Sequence, residues 1–514
     1  MSIFLAAFPL LVILILMLGL KWGGVQAGGV GWLSSLLIAI LWFGAGPAVL
    51  FWAQVQGVFR AAYVLYIIWG ALFFFRVTEA DGTLERVSDF LERLAPDPVL
   101  QVLLMAWGFT SFLQGVGGFG VPLAVVAPIL VAMGFSPLDA VVMPSLGYSW
   151  SISFGSLGAS YEALVSTTGV EGSLVAPWMA VMLGVPCLLG GGGVLGIANK
   201  RETCRPFIIS LLTMLTMAVA MIAVQYGAVR VGLPNIGAML GALGGLVVGS
   251  MWAIFRRLYL PLNAKTVISP KRAFSSMLPY ILLIVIIVAV NFLPFLHDPL
   301  NRVILGVQTP SLNLRDGTQI PANQTKNISV FGHPGAQLVY TALITLALAK
   351  LKGRLPPGSG EQIRKGVLQS GVKSSLGILA MMAMATTMQV TGMVSELATA
   401  MAALAGQCFP LISPFVGALG AFMTGSNTNS NVLFSAFQLQ VSQTLHLPVV
   451  LILALHNAGA AVGSVFAPAK IIVGCSTVGL SGKESGVLSR TARYGFIVLI
   501  ALAALGFVIV RAWG

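Results

Sequence analysis

The chain has 514 residues, of which 57% are hydrophobic and only 8% charged. A soluble domain carries about a quarter charged residues, so this composition excludes a surface made for water. The net charge of +13 would suggest nucleic acid in a soluble protein, but here the basic residues gather in short loops between apolar runs, which is the signature of membrane topology.

About 20 mostly apolar residues carry a helix across the hydrocarbon core. The run 3–20 lacks a basic leader and its apolar core is too long for a signal peptide, so it reads as a retained span. Further spans are expected at 30–51 and 57–76. Segment 78–97 holds six of the fifteen acidic residues, yet Leu84, Val87, Leu91 and Leu94 recur at helical spacing. That pattern predicts an amphipathic helix lying at the membrane interface. Spans follow at 174–197, 206–226, 234–255, 277–296, 336–350, 374–392 and 491–513. Lys and Arg place four loops in the cytoplasm: Lys200, Arg201 and Arg205; Arg256 to Arg272; Lys350 to Lys373; Lys483 to Arg493. The polar loop 297–335 then falls outside. Cys187, Cys204, Cys408 and Cys475 form no CxxC, so neither a disulfide framework nor a metal site is expected.

Two regions resist division into plain spans. In the first, a helix over about 98–113 reaches the glycine-rich stretch 114–120 and returns through Gly134; segment 137–167 is then interrupted by serines and glycines. In the second, a helix from 409 reaches Thr424-Gly-Ser-Asn-Thr-Asn-Ser-Asn431 and returns near His446, and 449–480 is broken over 458–469. Counting from the cytoplasmic loops, the first hairpin opens inward and the second outward. The expected fold is therefore an all-α polytopic membrane protein of about 12–14 helical segments. It contains two inverted repeats, each a re-entrant hairpin followed by a broken helix. The domain reading is scaffold helices over 1–56, repeat 1 over 57–197 (hairpin 98–134, broken helix 137–167), central scaffold and external loop over 198–335, and repeat 2 over 336–514 (hairpin 409–445, broken helix 449–480). Interrupted segments at matching places in inverted halves point to a transporter's binding site.

Lys470 follows the second break and precedes Lys483 by one short half-helix, roughly 15–20 Å at 1.5 Å per residue. An ammonium at that depth needs a partner or water, and a substrate carboxylate supplies one. One buried cation favours a monocarboxylate. Ser426, Asn427, Thr428, Asn429 and Asn431 crowd the second tip; helix capping accounts for one of them, and the surplus suggests hydrogen bonds to a hydroxy acid, an ion or water. Gln114, Gly117 and Gly118 at the first tip, Ser153 and Ser156 at the first break, and Asn457 beside the second complete the binding set, with Ser111 a weaker candidate. Glu162, His456 and Asp139 are the candidates for proton coupling. No catalytic residue or cofactor is called for: an intramembrane enzyme lacks support from any HExxH motif, and a channel lacks a filter-like motif or ring of charge.

The stretches GVGGFGVPLAVVAPILVAMGF (115–135), FMTGSNTNSNVLFSAFQ (422–438) and VGLSGKESGVL (478–488) resemble the L-lactate permease family across both hairpin regions. The resemblance implies a secondary transporter of lactate, glycolate and related 2-hydroxy monocarboxylates, usually coupled to protons. The chain departs from that pattern where Gln114 stands for a Glu, Asn427 for an Asp, and Ser464 for a Lys, with Lys470 following the proline instead. The expected function is thus a proton symporter of a small monocarboxylate working by elevator-like alternating access in a bacterial or archaeal inner membrane. A sodium-coupled carrier is the alternative. The expected partners are a small organic anion, a proton or Na+, and the lipid bilayer, with no nucleic acid; a homodimer is compatible with the pattern.

Overall fold

The computed structural model describes residues 2–20, 22–94, 97–118, 120–199, 207–259, 270–481 and 483–513. Phe119, Lys200, Arg201, Cys204, Arg205 and Lys265 lie outside the described residues. Eleven described helices are long and apolar enough to cross a membrane, or twelve if the bent pair Met277–Phe292 and Pro294–Leu300 is one span. The chain is an all-α, multi-pass membrane protein.

Several boundaries move, each for a local reason. The expected span 30–51 is instead Gly24–Leu41, and the next helix is Pro47–Ala80. Pro47 sits at a helix start, where its missing N–H costs nothing, and Gly44 turns the chain with φ +65°. The polar loop is not structureless: strands 304–305 and 328–329, 308–309 and 323–324, and 312–313 and 319–320 pair antiparallel into a small hairpin. It rests on the Gly44 turn, whose carbonyl accepts from Arg315 N at 3.0 Å.

The acidic helix Thr83–Leu94 does not spend its apolar face on lipid. Leu84, Val87 and Leu91 are buried, and the helix packs on Pro47–Ala80 and Pro270–Phe292. Its start is pinned by Asp81, which is buried and lies 2.7 Å from Arg86 and 4.0 Å from Arg354. A carboxylate so placed holds the helix against the protein, so the apolar face of the amphipathic helix packs on neighbouring helices.

Each irregular region is a series of helices joined by short turns. The first runs Pro98–Val102, a wider-wound turn Leu103–Phe109, Thr110–Val116, a glycine tip, Val121–Ala132, Pro137–Gly147, an irregular stretch and Ala159–Thr168. The second runs Phe409–Thr424, Gly425-Ser426, Asn427–Thr444, Val449–Val465, Phe466-Ala467 and Pro468–Thr477. The second break is narrower than the glycines of 458–469 suggest. A Cβ at Gly459 would collide with the Pro414 carbonyl, one at Gly463 with the Ala418 carbonyl, and one at Gly417 with the His456 carbonyl. These glycines serve close packing of two helices, as small residues do in membranes, and the helix runs through them unbroken.

The first hairpin is anchored at its open end. Asp97 caps Pro98–Val102 by accepting from Leu100 N at 2.9 Å, and it accepts from Arg256 Nη1 at 2.5 Å. Both side chains of this pair are buried, so removing either leaves an uncompensated charge, at about 3–5 kcal/mol. Asp97→Asn or Arg256→Met alone is expected to lower the melting midpoint of the purified protein sharply, and the double variant to recover much of the loss. A double variant no better than the worse single would show that the pair carries no coupling.

Candidate functional site

Both tips and both breaks meet at one cavity of about 380 Å³. Its wall includes Gln114 and Gly120 from the first tip, Ile152, Ser156 and Ser160 from the first break, Thr424 to Asn429 from the second tip, and Ala469, Lys470 and Val473 from the second break. Gly24, Val25, Ser374, Gly377 and Ile378 close the opposite side. A helix starts at each contributing element. Gly120 precedes Val121–Ala132; Ser160 lies in the first turn of Ala159–Thr168; Ser426 caps Asn427–Thr444; Lys470 lies in the first turn of Pro468–Thr477. Helix N-termini present free N–H groups and the positive end of the dipole.

Lys470 is the one charged residue among the described lining residues, and no described carboxylate pairs with it. Its Nζ donates to Ser464 Oγ at 3.1 Å and sits 5.6 Å from the centre of the Tyr148 ring. The break at Phe466-Ala467 exists because Pro468 cannot donate to the preceding turn; the lysine then begins a new helix, so its side chain folds back toward the old one.

At the second tip most polar side chains are committed to structure. Ser426 Oγ accepts from Asn429 N at 3.3 Å, and Thr428 Oγ1 meets Ser160 Oγ at 2.9 Å. Asn431 Nδ2 donates to the Ser160 carbonyl at 2.7 Å and to Asn457 Oδ1 at 2.9 Å. Asn457 Nδ2 in turn donates to Ser153 Oγ at 2.7 Å, which also accepts from Asn427 Nδ2 at 3.2 Å. This relay fixes the amide orientations: the Ser160 carbonyl can only accept, so the Asn431 atom facing it is nitrogen, and each later partner follows. It ties the first break to the second tip and to the helix behind it. Asn431, Asn457 and Ser153 therefore stand behind the cavity rather than in its wall.

The first break is held by backbone that L-residues rarely adopt. Ser156 and Leu157 have φ +47° and +55°, and Gly158 follows at +81°. Such residues cost about 1–3 kcal/mol each and persist only when their surroundings fix them. Here the fixing is tight: a Cβ at Gly118, itself at φ +59°, would collide with Ser156 Oγ, and one at Gly117 would meet the Phe75 ring at 2.8 Å. Gly117 and Gly118 thus seat the tip and do not line the cavity. Ser111 is structural as well, donating to the Gly147 carbonyl at 3.1 Å and accepting from Trp150 Nε1 at 3.0 Å.

None of the three proton-coupling candidates lines the cavity. Asp139 lies at the start of Pro137–Gly147, bonded to Ser136 and 2.8 Å from Arg490. His456 is fully buried beside the Ser430 backbone, and neither ring nitrogen makes a hydrogen bond. Glu162 is buried two residues beyond Ser160, near Tyr63 and Asn235, with Lys326 as an opposite charge acting on it. Ser160 and Thr424 fall inside the polar stretches that mark the first break and second tip but are not singled out there, while Ser374 and the Gly24 wall lie on plain helices and carry no pattern.

A family model described as L-lactate permease matches residues 2–512. The chain is similar to glycolate permease GlcA of Escherichia coli (strain K12), 25% identical over 97% of this chain and 93% of that one. It is similar to the L-lactate permease of Streptococcus iniae, 27% identical over 86% of this chain and 91% of that one. The L-lactate permease of Escherichia coli (strain K12) is 25% identical over 97% and 94%. Among solved structures, that of the Alcanivorax borkumensis YdaH transporter is 15% identical over 83% of this chain and 86% of that one, with a TM-score of 0.34.

The relay makes a prediction about stability. Asn431→Ala removes the donor to the Ser160 carbonyl and leaves Asn457 Oδ1 only the longer bond from Asn427 Nδ2 at 3.4 Å, a loss of about 1–3 kcal/mol. Asn429→Ala, which removes a side chain that takes no part in the relay, is expected to leave the melting midpoint near that of the parent. Equal midpoints for the two variants would contradict the relay.

Proposed function

The chain belongs to the L-lactate permease family, and on that premise we propose that it is a proton-coupled carrier of a small 2-hydroxy monocarboxylate such as L-lactate or glycolate. Membership of a permease family supports the coarser statement, transport of a monocarboxylate across the membrane. The observation that carries the finer one is the convergence of helix N-termini on a cavity whose one described charge is Lys470.

Each N-terminus favours an anion by about 0.3–1 kcal/mol, and a charge-assisted hydrogen bond to the ammonium adds about 1.5–3 kcal/mol. One carboxylate balances the lysine. A second would be buried without a counter-charge, which costs several kcal/mol, so the site selects monocarboxylates. The committed side chains behind the tip hold the helix ends in place, and the substrate meets mainly Lys470 and backbone N–H groups.

Residues 57–197 and 336–514 form the two inverted repeats in this reading, and 1–56 with 198–335 the scaffold. Support for the inversion comes from the first hairpin's open end, where Asp97 meets Arg256 and Asp139 meets Arg490, both arginines of the loops assigned to the cytoplasm. Support for sliding comes from the facing wall: Gly24 and Gly377 present no side chain to the tips. The tips and breaks move as one body against it, exposing the acid to each side in turn. Glu162 carries the proton. Its place in the same short helix as Ser160 links its charge to the cavity, whereas Asp139 is already paired with Arg490.

Sodium coupling is the second reading, favoured by the buried amide oxygens of Asn427 and Asn431, which accept no hydrogen bond. Proteoliposomes separate the two. Lactate uptake is expected to follow an inward proton gradient and to ignore a sodium gradient of equal size; the reverse result establishes sodium. Glu162→Gln is expected to abolish proton-driven accumulation while lactate exchange down its own gradient continues. Lys470→Ala is expected to weaken lactate affinity by about ten-fold or more, given the lost charged hydrogen bond, with Lys470→Arg retaining part of it. Unaltered affinity in Lys470→Ala would remove the charge argument.

A further inference from the structure

Three side chains of the tips and first break line the cavity and make no hydrogen bond among the described residues: Asn429, Ser156 and Gln114, the last of these buried with Oε1 unpaired. At the second tip, Ser426 caps its helix, Thr428 holds Ser160, and Asn427 and Asn431 belong to the relay. Asn429 contributes only its backbone N–H to that scheme. Its side-chain amide makes no hydrogen bond among the described residues, is half-buried and lines the cavity. At the first break Ser156 is in the same position: half-buried, in the wall, with an unassigned hydroxyl held by a left-handed backbone.

We propose that Asn429 is the specificity-determining residue of this site, reading the substituent at C2 of the bound acid, with the Ser156 hydroxyl as a second contact from the first break. This deepens the monocarboxylate reading and rests on it. A carboxylate held by Lys470 and the helix ends fixes one end of the ligand. What distinguishes a 2-hydroxy acid from its plain alkyl analogue is then one group that both donates and accepts. An amide does both, and Asn429 stands in the third position of the helix whose N-terminus faces the cavity. Asn427 offers the ligand only its unpaired oxygen, because its nitrogen donates to Ser153 and Asn457, whereas Asn429 has both amide atoms free to donate and accept. A polar site group left unpaired by an analogue that lacks the hydroxyl penalises that analogue.

The test measures the concentrations of L-lactate and propionate that give half-maximal thermal stabilisation of the purified full-length protein. The parent is expected to prefer lactate. In Asn429→Ala that preference is expected to fall by about ten-fold, the worth of one hydrogen bond to a buried polar group. Asn429→Ser, which keeps a hydroxyl, is expected to restore part of it, and Ser156→Ala to show a smaller fall. Asn431→Ala, two positions along the same tip, is expected to weaken both acids alike. Equal weakening of both acids in Asn429→Ala would overturn the assignment, as would an equal loss of preference in Asn431→Ala. A parent protein stabilised equally by both acids would overturn it too while leaving monocarboxylate binding intact. Failure of both acids to stabilise the parent would instead count against the transport site itself.

Discussion

A helix that ends inside a bilayer leaves N–H groups that no lipid can take up. Everything at this site follows from how those ends are managed. The chain gathers them around one cavity, so that each end faces a shared polar space and none faces hydrocarbon. That arrangement creates a positive field, and Lys470 adds a full charge to it. A protein carboxylate would neutralise the field; among the described residues none is there, so the field is left for a ligand. The proposed substrate, a small single-charged acid, matches that imbalance.

The cost of the arrangement is met by rigid packing behind it. The amides of Asn427, Asn431 and Asn457 bind the second tip to the first break, and glycines at 417, 459 and 463 let the supporting helices approach to backbone contact. Residues that look like ligands in sequence therefore divide into two groups. Those buried in the relay set the position of the helix ends, while those facing the cavity are the proposed contacts of the acid. The left-handed Ser156-Leu157 pair belongs to both, since its strain is held by the first tip and its hydroxyl faces the wall.

Much of this was legible in the sequence. Apolar length gave most of the spans, although 3–20 holds only a shorter helix and 30–51 moves to 24–41, and the polar runs at 114–120 and 424–431 coincide with turns between helices. Lys470 stood out because a lone lysine at that depth has no cheap explanation. What was not legible depends on which atoms touch. Glycines at 459 and 463 look like a break, yet only the neighbouring Pro414 and Ala418 carbonyls reveal that they serve packing. The acidic helix 83–94 reads as amphipathic, yet only the contacts show that its apolar face packs on neighbouring helices. The lining wall of Gly24 and Gly377 is silent in sequence, because what those residues contribute is the absence of a side chain.

The central claim is that a monocarboxylate sits against Lys470 among the converging helix ends. Solid-state NMR on protein carrying 15N-lysine, reconstituted with carboxyl-13C-lactate, tests it most directly. Dephasing of the lactate carboxyl signal by a lysine Nζ at direct hydrogen-bond separation, about 2.8 Å from N to O, and its loss in the Lys470→Arg protein, is the expected result. Bound lactate whose carboxyl signal shows no lysine within reach, or the same contact in the Lys470→Arg protein, would contradict the account.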